Sequence, residues 1–204
     1  TYEYDSSDKN RLVKASNNMG QEYKFTYDNN GNVTESKVEA TDSVTMPENG
    51  KSYNIVFAQT NKILDIKNES KDDGANVHQW KHEEGYKNKE FKFNQTEDGY
   101  FNISANHSNK NIDLDINSGN IQQWSTRTSD NQKWKAIDNG DGTIRLVNKE
   151  KGDDYCISLE KDSSEDGTNI IIDKWEGKGT QKLKLYDVNG SNPFVNIDKI
   201  ESEE

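Results

Sequence analysis

This 204-residue sequence predicts an all-β fold assembled from three copies of one short unit. Three observations carry that reading. A turn-and-strand phrase occurs three times, as Asn49-Gly50-Lys51-Ser52-Tyr53-Asn54-Ile55, Asp98-Gly99-Tyr100-Phe101-Asn102-Ile103 and Asp141-Gly142-Thr143-Ile144-Arg145-Leu146. The turn glycines are separated by 49 and then 43 positions, and a period in this range marks units that bury their apolar faces against one another. Between the turns, apolar and polar residues alternate along short runs, the period of a half-buried strand.

Composition narrows the function. Hydrophobic residues make up only 29% of the chain and charged residues 31%, so large side chains must fill the core: four Trp, nine Tyr and six Phe. A net charge of −11 argues against nucleic acid, whose phosphates demand basic neutralising groups, and against an anionic membrane surface. No run reaches transmembrane length. The single Cys156 excludes an intrachain disulfide and reads as a small buried hydrophobe. The chain opens at Thr1 with no signal peptide and closes on Glu201-Ser202-Glu203-Glu204, which reads as a piece of something longer.

The first forty residues carry a different repeat. Tyr4-Asp5 is followed by Asn10-Arg11-Leu12, and 23 positions on Tyr27-Asp28 is followed by Asn29-Asn30-Gly31-Asn32-Val33. Each reads as a strand, an Asn/Gly turn and a second strand. This stretch, about Tyr2 to Glu39, resembles the YD repeats of the Rhs and teneurin families; Asn10 stands where those repeats carry Gly. Residues 41–48, with Pro47, read as a linker.

Within each copy, a strand follows the opening hairpin: Asn61-Lys62-Ile63-Leu64-Asp65-Ile66, then Asn109-Lys110-Asn111-Ile112-Asp113-Leu114 continuing into Asp115-Ile116, then Cys156-Ile157-Ser158-Leu159. Alternation points Asp65, Asp113 and Ser158 outward. A Gly turn leads to a second strand ending in His78-Gln79-Trp80, Gln122-Gln123-Trp124 or Ile171-Ile172-Asp173. Each copy closes on a triplet: Lys89-Glu90-Phe91, Gln132-Lys133-Trp134 or Gln181-Lys182-Leu183.

These three ordered copies, roughly Lys51 to Val188, resemble the ricin B-type β-trefoil lectins, which carry one QxW signature per repeat. The resemblance implies a β-trefoil over residues 49–188, with repeats 49–96, 97–138 and 139–188 and a tail over 189–204. It also implies core positions for Phe91, Trp134 and Leu183, and sugar-stacking positions for Trp80 and Trp124. The third copy has Asp173 at the stacking place, and Trp175 two residues on reads as a packing or surface residue.

A pyranose offers an apolar face of C–H groups and an edge of hydroxyls. A flat aromatic covers the face, while a carboxylate accepts from hydroxyls and side-chain amides donate and accept. The second copy holds the full set: Asp113, Trp124, Gln122, Asn131 and Gln132. Asp115 replaces Asp113 if the register shifts by two, and Gln132 also suits a structural role pinning its turn. The first copy holds Asp65, Trp80 and Asn88, with His78 and Lys89 where the second has Gln122 and Gln132. The third, with Ser158, Ile171, Asp173 and Thr180, is expected to lack a site.

Other chemistry is not expected. Asp138-Asn139-Gly140-Asp141-Gly142 resembles the start of a calcium loop but lacks the distal Glu. His78, His82 and His107 do not share a metal-binding register. The run Glu160 to Asp166 reads as a solvated loop. We therefore expect no enzyme, no metal and no cofactor. The expected partner is a glycan or polysaccharide of the galactose or N-acetylgalactosamine type, bound by a secreted or cell-surface module of a larger Rhs-like or toxin protein, without membrane insertion. A protein-interaction or structural trefoil, and the binding module of a polysaccharide-degrading enzyme, remain alternatives.

Overall fold

The structure, a computed structural model, describes residues 2–8, 11–16, 21–40 and 44–190, divided between two compact units. Asn10 and the part of the tail from Ser191 onward lie outside the described residues. The N-terminal unit holds one antiparallel sheet in chain order: β1 (Tyr2–Tyr4), β2 (Leu12–Ser16), β3 (Gln21–Tyr27) and β4 (Val33–Ala40). Aspartates organise both hairpin turns. Asp5 Oδ1 accepts from the amides of Ser7 at 2.7 Å and Asp8 at 3.2 Å, and Asp28 Oδ1 accepts from those of Asn30 and Asn32, both at 2.9 Å. These bonds, led by the Ser7 hydroxyl and the Asn32 side chain, hold both carboxyls below their ordinary range. Tyr27 Oη donates to the Leu12 carbonyl at 2.7 Å and ties the second hairpin to the first.

The second unit, Val44 to Gly190, contains twelve strands, four per copy. The first copy gives β5 (Ser52–Phe57), β6 (Lys62–Ile66), β7 (Val77–Trp80) and β8 (Phe91–Gln95). The second gives β9 (Phe101–Ala105), β10 (Asn111–Leu114), β11 (Ile121–Trp124) and β12 (Trp134–Asp138). The third gives β13 (Ile144–Asn148), β14 (Gly152–Leu159), β15 (Ile170–Lys174) and β16 (Leu183–Asp187). First and last strands of the copies pair in a ring, β5–β8–β9–β12–β13–β16–β5, closing a six-stranded barrel with no free edge. The inner pairs β6–β7, β10–β11 and β14–β15 form three hairpins, each joined to its own first strand. This is a β-trefoil.

The turn residues explain why the copies end where they do. Gly50, Gly99 and Gly142 all adopt positive φ (80°, 82° and 79°), a conformation that a Cβ would strain. Asn61 and Asn109, which occupy the same place in their copies, also adopt positive φ (55° and 57°), and Asn tolerates it best among side-chain-bearing residues.

The core fills with the inward residues of all three copies. Phe91, Trp134 and Leu183 are fully buried in it, and Trp134 Nε1 donates to the Ile112 carbonyl at 3.0 Å, so burying the indole leaves no orphan donor. Val44 packs on this core and the Glu48 amide bonds Tyr53 Oη at 3.1 Å. The linker expected over 41–48 is corrected accordingly: from Val44 onward those residues belong to the trefoil unit, because an apolar side chain there finds the core. The sequence also carried β-alternation through Asp115-Ile116. Instead β10 stops at Leu114, because Asp115 accepts from the Asn117 amide at 3.1 Å and from Ser118 Oγ at 2.6 Å and bends the chain.

Three asparagines knit the hairpins together. Asn76 Nδ2 donates to Asn169 Oδ1 (2.9 Å), Asn169 Nδ2 to Asn120 Oδ1 (3.0 Å), and Asn120 Nδ2 to Asn76 Oδ1 (2.8 Å). The ring is cyclic, one residue per copy. Each hairpin turn also packs on the next copy: a Cβ at Gly74 would lie 3.6 Å from Trp124, one at Gly119 3.6 Å from Ile172, and one at Gly167 3.7 Å from Trp80.

Candidate functional site

Strand register places the second copy's polar residues opposite one another. Asp113 pairs with Gln122 and Asn111 with Trp124 along β10–β11. Gln122 Nε2 donates to Asp113 Oδ1 at 3.0 Å. A 3-10 turn, Asp130–Gln132, then lays two amides over the other oxygen: Asn131 Nδ2 at 3.0 Å and Gln132 Nε2 at 2.9 Å reach Asp113 Oδ2. Three neutral donors thus fix one carboxylate.

Two expectations need correcting here. Asp113 is only 3% exposed, because the 3-10 turn covers it. Asp65 and Ser158 are likewise buried. Gln132 is fully buried and its amide is committed within the fold: Nε2 also donates to the Ser125 carbonyl, and Oε1 accepts from Asn111 Nδ2 (3.1 Å) and the Arg127 amide (2.8 Å). It positions Asp113 and does not line the pocket.

The remaining second-copy residues come together. Asp113, Gln122, Trp124 and Asn131 line one cleft of about 810 Å³, with Asp115 and Arg127 at its rim. That volume falls in the roughly 300–1,000 Å³ range of small-molecule sites. Trp124 is half-buried; a Cβ at Gly74 would lie 3.6 Å from its Cζ3, and the Arg127 guanidinium lies 4.9 Å over the ring. Asp115 contributes to the wall, but its carboxylate serves its own turn, whose Ser118 hydroxyl holds it below the ordinary range.

The first copy repeats the plan with an imidazole and an ammonium in place of two amides. Asp65 pairs with His78 and Ile63 with Trp80. His78 Nε2 lies 3.0 Å from Asp65 Oδ1, Asn88 Nδ2 donates to Asp65 Oδ2 at 3.2 Å, and Lys89 Nζ stands 3.5 Å from the same oxygen. The buried Lys89 reaches Glu83 at 2.6 Å as well, and its ammonium holds the Glu83 carboxyl below the usual range. Trp80 stacks on His78, centroids 5.3 Å apart. Asp65, His78, Trp80 and Asn88 line a cleft of about 220 Å³, well below the second. Asn88 Oδ1 is buried there without a hydrogen-bond partner, whereas its counterpart, Asn131 Oδ1, accepts from Ser129 Oγ at 2.6 Å.

In the third copy Ser158 pairs with Ile171 and Cys156 with Asp173. Ser158 Oγ meets only the Leu159 carbonyl and Thr180 Oγ1. The place held by a carboxylate in the other copies has no charge. Trp175 sits under Arg145, 4.7 Å from guanidinium to centroid.

Sequence reasoning missed several contributors. Gln79 and Gln123 pin the preceding copy's loop: Gln123 Nε2 donates to the carbonyls of Ser70 and Asp72, and Gln79 Nε2 to those of Ser163 and Glu165. Lys110 and the Ser125 amide hold Asp73 from across the copy boundary, at 2.5 and 2.7 Å. A signal was present for the asparagine ring, since each copy has Asn just before the first apolar residue of its second hairpin strand. Among the described residues no group of three or more His, Cys, Asp or Glu side chains is arranged to hold a metal. The calcium-like stretch is a turn, in which Asp138 accepts from the Gly140 amide at 2.7 Å and Asp141 bonds Lys182 at 2.7 Å.

The family model described as ricin-type beta-trefoil lectin domain-like matches residues 43–120 and 115–173. Among solved structures, the chain is similar to ThreeFoil, a designed 3-fold symmetric protein, at 34% identity and TM-score 0.63, covering 67% of this chain and 99% of that one. It is similar in fold to the earthworm R-type lectin C-half in complex with GalNAc, at 20% identity and TM-score 0.56, covering 67% and 98%. It is also similar in fold to an exo-beta-1,3-galactanase from Clostridium thermocellum, at 24% identity and TM-score 0.63, covering 82% of this chain and 38% of that one. No curated protein matches the chain.

Proposed function

Because this chain belongs to the ricin-type β-trefoil lectin domain-like family, we propose that it binds glycans without catalysis, through the second copy first and the first copy second. One observation carries the reading: a half-buried Trp124 stands in a cleft whose floor is a carboxylate fixed by three amides. The ring would cover the apolar face of a pyranose. Asp113 keeps lone pairs for hydroxyl donors, and because its geometry is already set, binding freezes few rotors. A single cleft of this kind binds in the millimolar to micromolar range, about −4 to −8 kcal/mol.

The ligand class we propose is galactose or N-acetylgalactosamine, terminal on a glycan. The complexes of the earthworm lectin with GalNAc and of the Macrolepiota procera lectin with lactose support it by fold. We further propose that the module targets a larger secreted or surface protein to such glycans, its N-terminal sheet being part of a YD-repeat segment.

A glycan array with the wild-type chain, Trp124→Ala, Asp113→Ala and Trp80→Ala tests the reading. Trp124→Ala should abolish most binding while the fold persists, since the ring stands outside the barrel. Trp80→Ala should remove a minor share. Full binding by a Trp80→Ala/Trp124→Ala double variant would sink the proposal.

A further inference from the structure

Three positions after the stacking place, the copies carry Glu83, Arg127 and Glu176. The equivalence holds in space for the second and third copies: the Arg127 amide donates to Gln132 Oε1 at 2.8 Å, and the Glu176 amide to Gln181 Oε1 at 2.9 Å. Charge at this pocket lip is therefore inverted in the second copy alone.

The two lips also differ in what they already hold. Glu83 accepts from the buried Lys89 at 2.6 Å. Arg127 is exposed, its backbone is anchored by Gln132, and its guanidinium lies over Trp124 within the cleft. Among the described residues that guanidinium makes no ion pair. Of the carboxylates lining the cleft, Asp113 already accepts from three amides and Asp115 serves its own turn, leaving the exposed Glu150.

We propose that, within the galactose-type class, the second pocket prefers the sugar oxidised at C6, a uronic acid, and that Arg127 reads its carboxylate. The first pocket, with Glu83 at the same place, takes the uncharged sugar. This rests on reading both clefts as glycan sites. A neutral pyranose seated on Trp124 must push the guanidinium off the ring and forfeit the cation–π contact. A uronic acid gives the displaced fork a planar carboxylate to grip through two parallel N–H bonds. The ligand thereby repairs the contact that it breaks. The chain's net charge of −11 opposes an anionic polymer at long range, but screening removes that beyond roughly 8 Å at physiological ionic strength.

The test is an NMR titration of the whole chain at physiological salt, following the indole N–H signals of Trp124 and Trp80. The ligands are a methyl galactoside and its C6-oxidised partner, methyl galacturonide. At Trp124 the galacturonide should bind on the order of tenfold tighter, and at Trp80 the galactoside should win. Arg127→Gln should weaken the galacturonide at Trp124 about tenfold and strengthen the galactoside about two- to fivefold, by uncovering the ring. Arg127→Glu should reverse the preference, and Trp80→Ala should leave it in place. Equal binding of both sugars at Trp124, or a preference that survives Arg127→Gln, overturns the inference and leaves the glycan reading standing. Binding of neither sugar at either indole ends both.

Discussion

Gln122 and Asp113 face each other across one rung of the β10–β11 ladder, and the 3.0 Å bond from Gln122 Nε2 to Asp113 Oδ1 completes a set of three amide donors on one carboxylate. Asp65 holds the same place in the first copy, but an imidazole and an ammonium replace two of those amides. The two clefts share geometry and differ in charge.

Asp113→Asn should therefore damage more than ligand binding. The new amide nitrogen would confront donors from Asn131 and Gln132 in a buried site, at a cost of about 1–3 kcal/mol. The urea midpoint should fall while the m-value stays constant. Gln122→Ala, at the half-buried edge, should cost less by the same measurement.

The asparagine ring makes a second prediction. Asn120→Ala removes the acceptor of Asn169 Nδ2 and the donor to Asn76 Oδ1 together, and should cost about 1–2 kcal/mol in urea unfolding. Because the bonds close a cycle, adding Asn76→Ala should cost clearly less than the sum of the two single changes.

Acid should weaken the fold through a lysine-bound aspartate. Asp98 accepts from Lys149 at 2.8 Å and Lys133 at 2.9 Å, and these bonds, the Lys149 one foremost, hold its carboxyl far below the ordinary range. A depressed folded-state pKa contributes stability above the unfolded value near 3.8, lost as pH falls through the folded value. The melting temperature of the wild type should drop below about pH 4, and Asp98→Asn should flatten that limb. Added salt should shrink the difference, since the cluster is exposed.

Cys156 offers a probe of opening. Burial pushes its thiol up to about 12, so the thiolate is scarce at pH 8. Iodoacetamide should leave the folded chain unlabelled over hours and label it within minutes in denaturing urea. Comparable labelling rates would show that β13–β15 open in the folded state.

The threefold plan was readable because each copy carries the same punctuation: a turn glycine, an alternating strand, a second Gly turn and a closing triplet. The membership of Asp113, Gln122 and Trp124, and of Asp65, His78 and Trp80, in one cleft each could be read from the repeats. The burial of Asp113 and Asp65 could not. Alternation says which side of a strand a residue takes, not what a turn eighteen residues later lays over it, and that turn is what hides Asp113. Of the two roles the sequence allows Gln132, the structure takes the structural one, pinning its turn. Arg127 carries no strand alternation, since it lies in a connection between strands where Gln132 fixes its backbone. The end of β10 escaped notice because Asp115 can serve either as a strand residue or as a turn acceptor, and local bonds to Asn117 and Ser118 decide it.

The turn at Gly74 lies against Trp124 and the turn at Gly167 against Trp80, so each indole is backed by a turn of a different copy. Editing the 72–75 turn, which meets no sugar, would tilt the second indole and change what it accepts. Ligand preference can thus drift through residues remote from any contact. A lone copy, cut free, would carry half a receptor.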